Sequence, residues 1–231
     1  MTEQVKQMFS RIAPRYDRMN TILSFGIHYL WRKKAVRLSG VREGDSVLDC
    51  ATGTGDLAFE FSRKTGPGGS VTAIDFSGGM IALAREKLEK KGGNIDFSEG
   101  DVLQLGFPDG AFDCSSISFG IRNVDSPLAG LSEMARVVKP GGKVIVIEFG
   151  QPKGLLSLPY KFYARFVMPL LGRLFAGDKD AYTYLPVTAS KFPCRNDFIS
   201  IMEQTGRLTD CRFYSLSSGI AFIYAGIVKQ R

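Results

Sequence analysis

Two rhythms alternate along this chain. Short strand-like segments, apolar in part, stand near 46–50, 71–75, 95–98 and 113–118, and between them, near 56–65, 78–91 and 128–138, apolar residues recur every three or four positions. A further run, Lys143 to Phe149, is apolar almost throughout between its ends. Fully apolar strands separated by amphipathic helices predict a parallel sheet covered on both faces. Right-handed crossovers then place a ligand at the carboxyl ends of the strands, at the switch point beside the first one. Lys139-Pro140-Gly141-Gly142 is expected to end the helix that passes through Glu133 to Val138 and to turn the chain into the fifth strand, since proline cannot continue a helix and glycine suits its C-cap. Cys211 to Val228 reads as two strands joined around Ser217-Ser218-Gly219, a closing antiparallel hairpin.

Two segments lie outside that alternation. Val5 to Leu38 predicts helix in at least two pieces, with Pro14 placed to start one of them and Ser24-Phe25-Gly26 as a break before a helix around His28 to Leu38. Residues 1–40 are therefore expected to form a helical cap. The stretch 151–206 is less regular and crowds Leu155, Tyr160, Phe162, Tyr163, Phe166 and Leu170 among Lys161, Arg165 and Arg173. It reads either as a helix pair buried against the sheet or as a lid over a greasy substrate, touching a membrane surface with its basic side. At 231 residues, the chain 1–231 suits a single domain with such additions.

The segment Val47 to Asp56 runs from a buried strand through Thr52-Gly53-Thr54-Gly55 into a helix, and Asp75 closes the next apolar run. Glycines let the backbone approach a ligand, and a carboxylate ~20 residues on can take the two hydroxyls of a ribose. A tight turn without a ligand would not call for Asp75 at that spacing, so a nucleoside-bearing cofactor is expected. Gly53-x-Gly55-x-x-Ala58 also fits the dinucleotide fingerprint. Two features favour S-adenosylmethionine over a nicotinamide. Asp49 places an acid before the glycines, so the segment resembles motif I of the methyltransferases that use that cofactor, with Ala51 in place of the first glycine. The closing hairpin also resembles the seven-stranded methyltransferase sheet, where dinucleotide-binding sheets commonly end in a sixth parallel strand.

Composition narrows the partners. A net charge of +7 permits nucleic acid or an anionic membrane surface. No helix-turn-helix, zinc-finger or aromatic RNA-binding pattern appears, so nucleic acid is not expected. Four cysteines without a C-x-x-C pair, beside a single histidine, speak against a disulfide framework or metal site and fit a reducing compartment. The N-terminus carries no apolar signal region, and no apolar run approaches the ~18 to 20 residues of a membrane span. The chain is expected to be cytoplasmic and peripheral to the membrane, with weak, reversible attachment, and a homo-oligomer is left open.

Further candidates follow from the strand ends. Gly100-Asp101-Val102, after the third strand, suits recognition of an adenine amino group. Ser118-Phe119-Gly120-Ile121-Arg122-Asn123 leaves the fourth strand at the expected reaction centre, where Arg122 reads either as a surface ion pair or as a cation aimed at a developing oxyanion. Tyr16 and Asn20, four apart, share one helix face. His28, alone beside Trp31, reads as structural. The chain resembles the ubiquinone/menaquinone biosynthesis C-methyltransferase family through Tyr16-Asp17-Arg18-Met19-Asn20-Thr21-Ile22-Leu23-Ser24 with His28 and Trp31. Arg136 to Gly142 with Glu148, the Ser118–Asn123 run and Tyr182-Thr183-Tyr184-Leu185 are also similar to it. It departs at Gly150, where that family usually has serine.

The resemblance implies an α/β, Rossmann-like class I S-adenosylmethionine-dependent methyltransferase with a seven-stranded, mostly parallel sheet. It also implies C-methylation of a polyprenyl quinol, demethylmenaquinol or the ubiquinone precursor. Cofactor contacts are expected at Asp49, Gly53, Thr54, Gly55, Asp75, Asp101, Val102 and Ser118. Arg122 is expected to steady a phenolate, with Asn123 orienting the ring or a water, and Tyr16, Asn20 and Tyr184 to face the substrate. Another lipid-like acceptor, or an RNA-binding methyltransferase, stands as the alternative.

Overall fold

In the computed structural model, which describes residues 3–172, 184 and 187–230, the apolar runs become β1 (Ser46–Cys50), β2 (Ser70–Asp75), β3 (Ile95–Glu99), β4 (Phe112–Ser118) and β5 (Val138–Phe149). The chain's end adds β6 (Leu208–Leu216) and β7 (Ala221–Val228). These strands form one sheet in the order β3-β2-β1-β4-β5-β7-β6. Pairing is parallel from β3 to β5, and β7 runs antiparallel to both β5 and β6. The order reverses between β1 and β4, which sets the switch point where the glycine turn leaves β1.

Side chains alternate across the sheet, and both faces are dry. Leu48, Val144 and Val146 pack with Leu131 and Met134 of α5 (Pro127–Arg136) and with Phe198 and Met202 of α8 (Asn196–Gln204). Their neighbours Val47, Ile145 and Ile147 point the other way, under Trp31, Ala35 and Val36 of α2 (Ile27–Ser39), Leu57 and Ala58 of α3 (Asp56–Thr65) and Ile81 and Ala84 of α4 (Gly78–Lys91). That double burial is why apolar residues occupy both faces of β1, β2 and β5. Helix starts follow side-chain chemistry: Ser77 Oγ accepts the Met80 N–H at 3.4 Å to open α4, and Ser126 Oγ accepts that of Ala129 at 3.2 Å to open α5.

Three boundaries differ from the sequence expectation. The helix α1 (Glu3–Ser24) passes through Pro14 without a break, while the break expected at Ser24-Phe25-Gly26 is present, at Phe25 (φ 50°) and Gly26 (φ 74°). A proline removes one helical hydrogen bond, and the burial of Ile12, Ala13 and Met19 on both sides of it keeps the rod in place. The helix α5 stops at Arg136, and Val138 already pairs with Phe112. Lys139-Pro140-Gly141-Gly142 is thus a bulge inside β5, and the register shifts so that Cys114 faces Lys143.

The described parts of 151–206 fall in two places. Asn196–Gln204 belongs to the layer covering the sheet, whereas α6 (Ser157–Phe162), a π-helical turn (Tyr163–Val167) and α7 (Met168–Leu171) lie beside α1. Leu155, Leu158, Phe162, Phe166 and Leu170 are exposed there, so this stretch is not a helix pair buried against the sheet. Arg173 and the stretch 173–183 lie outside the described residues.

Candidate active site

The carboxyl ends of β1, β2 and β4 meet in strained turns. Ala51 (φ 47°) and Phe119 (φ 56°) both hold left-handed backbone, which disfavours residues with a Cβ. They are close to each other as well: a Cβ on Gly120 would lie 2.5 Å from that of Ala51. After Ala51 the chain turns through Gly53 (φ 59°) and Gly55 (φ 85°) into α3. A Cβ at Gly55 would strike the Phe97 ring at 2.6 Å, so that glycine serves close packing. A Cβ at Gly53 would meet nothing nearer than Tyr16 Cε1 at 3.8 Å, so its backbone stands open toward the cap.

Asp75 shapes the same turn. Its Oδ2 accepts the Gly53 N–H at 2.8 Å and its Oδ1 that of Ser77 at 2.9 Å. Burial pushes its carboxyl up, and those two N–H groups hold it back. Asp101 Oδ1 accepts the Leu103 N–H at 2.9 Å, and Val102 is buried beside it. Ser118 Oγ, at the end of β4, is buried with no partner. A buried hydroxyl left unmatched at a strand end is where a ligand's polar group belongs. An open glycine backbone, a carboxylate with spare lone pairs and an orphaned hydroxyl together fit an adenosyl cofactor.

Two expected cofactor contacts are placed differently. Asp49 is fully buried: Oδ1 accepts from Ser116 Oγ at 2.6 Å and Oδ2 from Thr52 Oγ1 at 2.7 Å. It braces the turn and offers no surface to a ligand, and burial raises its pKa to about 6. The Thr54 hydroxyl is also buried and engaged, donating to Asp17 Oδ1 and accepting from Lys87 Nζ at 3.0 Å. Ligand contact at Thr54 therefore falls to its backbone.

Beside the turn lies a cavity of about 670 Å³, lined mainly by apolar and aromatic groups from α1, α2, α6 and the strand ends. Ile12, Leu23, Trp31, Phe119, Phe149 and Met168 form much of the wall. Tyr16 and Asn20 line it from α1, as expected of one helix face, and Tyr16 divides it from Gly53. Tyr184 lines it too and donates its hydroxyl to Asn123 Oδ1 at 3.0 Å. His28 also faces it, but burial and the Arg32 charge lower its pKa to about 4, so it is a poor proton acceptor near neutrality.

Arg122 closes the polar end, and its ion pair is internal rather than on the surface. It is 3% exposed and pairs with Glu148, 1% exposed, Nη1 to Oε1 at 2.7 Å. Nη1 also donates to the Phe119 carbonyl, the guanidinium carbon lies 5.3 Å from the Phe149 ring centroid, and Nε has no partner. The pair is internal, and the guanidinium's charge is already matched by a carboxylate. Burial raises the pKa of Tyr16, Tyr160 and Tyr184, and the Arg122 charge pulls each back in part. These phenols remain hydrogen-bond donors around one cation. Of Tyr182-Thr183-Tyr184-Leu185, Tyr184 alone falls among the described residues.

Gly150 has a reason of its own. A Cβ there would lie 2.2 Å from Phe222 Cε2, and the Gly150 N–H donates to the Ile220 carbonyl at 2.9 Å. The Phe222 ring takes the space that a serine side chain would need. Sequence reading missed Lys87, Asp17, Asp56 and Arg32 as neighbours of the glycine turn, because opposite charges that meet between helices leave no local pattern.

Known proteins resemble this chain along nearly its whole length. The ubiE/COQ5 methyltransferase family matches residues 1–228. Ubiquinone/menaquinone biosynthesis C-methyltransferase UbiE of Bdellovibrio bacteriovorus is 48% identical over 228 residues, covering 98% of this chain and 97% of that protein. Its namesake from Teredinibacter turnerae is 41% identical over 227 residues, covering 97% and 91%. Among solved structures, an S-adenosylmethionine-dependent methyltransferase from Aquifex aeolicus superposes with a TM-score of 0.67 at 21% identity, over 92% of this chain and 97% of that one. Haemonchus contortus phosphoethanolamine N-methyltransferase 2, solved with S-adenosyl-L-methionine, gives 0.63 at 17% identity, over 95% and 60%. Both share the fold.

Proposed function

The chain belongs to the ubiE/COQ5 methyltransferase family and is an S-adenosylmethionine-dependent C-methyltransferase, and from that premise we propose that its acceptor is a ring carbon of a polyprenyl quinol, demethylmenaquinol first and the ubiquinone precursor second. The observation that carries this reading is the cavity: greasy, adjoining the glycine turn at Tyr16 and ending on Arg122 and on Tyr184, whose hydroxyl donates to Asn123.

A ring carbon is a poor nucleophile until a neighbouring hydroxyl loses its proton and pushes charge onto it. The bound cofactor supplies an electrophilic methyl group. The chain's own residues supply the rest. Arg122 presents a buried cation to the forming phenolate, muted but not cancelled by Glu148. Asn123 and the donors around it orient the ring hydroxyl and a water that takes its proton. Arg122 itself stays protonated, since a guanidinium pKa exceeds ~12. Trp31, Phe119 and Phe149 exclude other water and press on the faces of the ring.

The tail needs a way in. Phe25 (86% exposed), Leu30, Leu155 (97%), Leu158 and Phe162 stand on the turn before α2, on α2 itself and on the 155–170 stretch, which supply walls of the same cavity, with basic Lys33, Lys161 and Arg165 exposed among them. An apolar rim set in positive charge suits weak, reversible docking on the anionic inner face of a membrane. No helix among the described residues is long and apolar enough to cross one.

The deciding experiment is in vitro methylation of short-tailed demethylmenaquinol and of the ubiquinone precursor, each reduced and oxidised, read by product mass. Methylation of reduced quinols alone is expected, because the oxidised ring has no hydroxyl to ionise. Equal turnover of the oxidised form, or none with either quinol, refutes the assignment.

A further inference from the structure

The glycine turn and the cavity are wired to each other by charge. Lys87 on α4 places Nζ 2.6 Å from Asp17 Oδ2, 2.8 Å from Asp56 Oδ1 and 3.0 Å from Thr54 Oγ1. Thr54 donates its hydroxyl to Asp17, and Asp56 Oδ2 lies 3.2 Å from Arg32 Nη1. Thr54 and Asp56 flank Gly55 in the cofactor turn, Asp17 follows the cavity residue Tyr16, and Arg32 follows the cavity residue Trp31. Burial pushes the Asp56 carboxyl up, yet Arg32 and Lys87 bring it below its ordinary value, so the network holds it charged.

Other contacts hold α1 as well. Its apolar contact centres on Ile12 and Met19 in a small cluster with Tyr16, Leu23 and Leu171, apart from the two large clusters on the sheet. Further polar ties join Ser10 to Ser77 at 2.9 Å and the Tyr163 hydroxyl to the Leu23 carbonyl at 2.8 Å. A partly exposed ion pair is a modest constraint. A modest constraint between two binding surfaces is one that a ligand can shift.

We propose that Lys87 is a positioning residue that couples the two halves of the site. By tying α1 to the turn, it lets a cofactor that orders the turn also seat Tyr16 and Asn20 over the acceptor. Linkage makes the effect mutual: acceptor binding must tighten the cofactor by the same factor. The proposal rests on the cavity being the acceptor site, and its test is chosen to fail separately from that reading.

The measurement is amide hydrogen exchange of the full chain with and without S-adenosylhomocysteine, on wild type, Lys87→Met, Lys87→Arg and Asp17→Asn. In wild type and Lys87→Arg, the ligand should slow exchange across residues 12–24 as well as across the turn. In Lys87→Met and Asp17→Asn, the turn should stay protected while α1 does not respond. The KM for the quinol should rise about tenfold in Lys87→Met with kcat nearly unchanged. Asp17→Asn cuts the same pair from the other side, so the test survives a Lys87→Met that fails to fold. Protection of α1 that persists in both variants, or is missing in wild type, overturns the coupling. A wild type that couples normally but methylates neither quinol overturns the acceptor reading instead.

Discussion

Removing either partner of the Arg122–Glu148 pair should destabilise the fold strongly, and removing both should do no further harm. Each single substitution strands a buried charge, an effect of ~3 to 5 kcal/mol. The two sides differ in what they leave behind. In Arg122→Met, Glu148 Oε1 keeps the Phe149 N–H at 2.8 Å and Oε2 the residue-122 N–H at 3.4 Å, which puts the loss near ~3 kcal/mol. In Glu148→Leu, the guanidinium retains the Phe119 carbonyl and the Phe149 ring, with Nε still unmatched, which puts the loss near ~5 kcal/mol. The double variant Arg122→Met/Glu148→Leu buries no charge and should fall no lower than the worse single one. The coupling term is then at least ~3 kcal/mol. Urea unfolding followed by circular dichroism measures all four proteins without substrate or cofactor. Losses that add within ~0.5 kcal/mol would refute the idea that the charges compensate each other inside the protein. On the same variants, single-turnover methylation separates chemistry from folding. Arg122→Met should lose ~100- to 1000-fold in rate with cofactor affinity little changed, and Arg122→Lys should recover part of it.

Asp75→Asn replaces one acceptor oxygen by a donor that faces the N–H of Gly53 or Ser77, so cofactor affinity should drop about tenfold by calorimetry, and unchanged affinity would remove Asp75 from the cofactor site. Asp49 has a folded pKa of about 6 against 3.8 for the free group, so the folded chain binds the extra proton, and that stability is full below 3.8 and lost as pH rises through about 6. Asp49→Asn should therefore gain on wild type between pH ~4 and ~6 in urea midpoints, and a gap independent of pH would contradict the burial argument. Gly150→Ser should destabilise by ~1 to 3 kcal/mol through the clash with Phe222, and Phe222→Leu should relieve part of it; a thermally silent Gly150→Ser would show the ring yields freely.

The sheet was legible because both of its faces are buried, which set adjacent apolar residues in β1, β2 and β5 with polar-faced helices between them, whereas β4 carries buried serines at 115 and 116. The glycine turn and Asp75 were legible for a related reason: backbone that must adopt positive φ or approach a ligand restricts residue type directly. Pro14 misled because a local helix-breaking tendency yields to packing on both sides. The start of β5 misled because Pro140 and Gly141 serve a bulge as well as they serve a helix end. Asp49 looked like a ligand contact, and its neighbours Thr52 and Ser116 claimed it instead, one of them from a different strand. The partner of Arg122 lies on β5 and that of Lys87 on α1, and such pairings become visible when the chain is folded.

The approach of Gly120 to Ala51 has a consequence for how this pair of positions changes over time. With 2.5 Å between the existing methyl and one added at Gly120, the two strand ends have room for one methyl group between them. A lineage that moves the methyl from β1 to β4 must therefore take Ala51→Gly first, a step that also eases the positive φ there, and Gly120→Ala second. The opposite order runs through a chain in which both carbons occupy the same space. The exchange is thus one-way in each direction of travel: loss precedes gain. Reconstructed intermediates of related chains should carry glycine at both positions, and none should carry alanine at both.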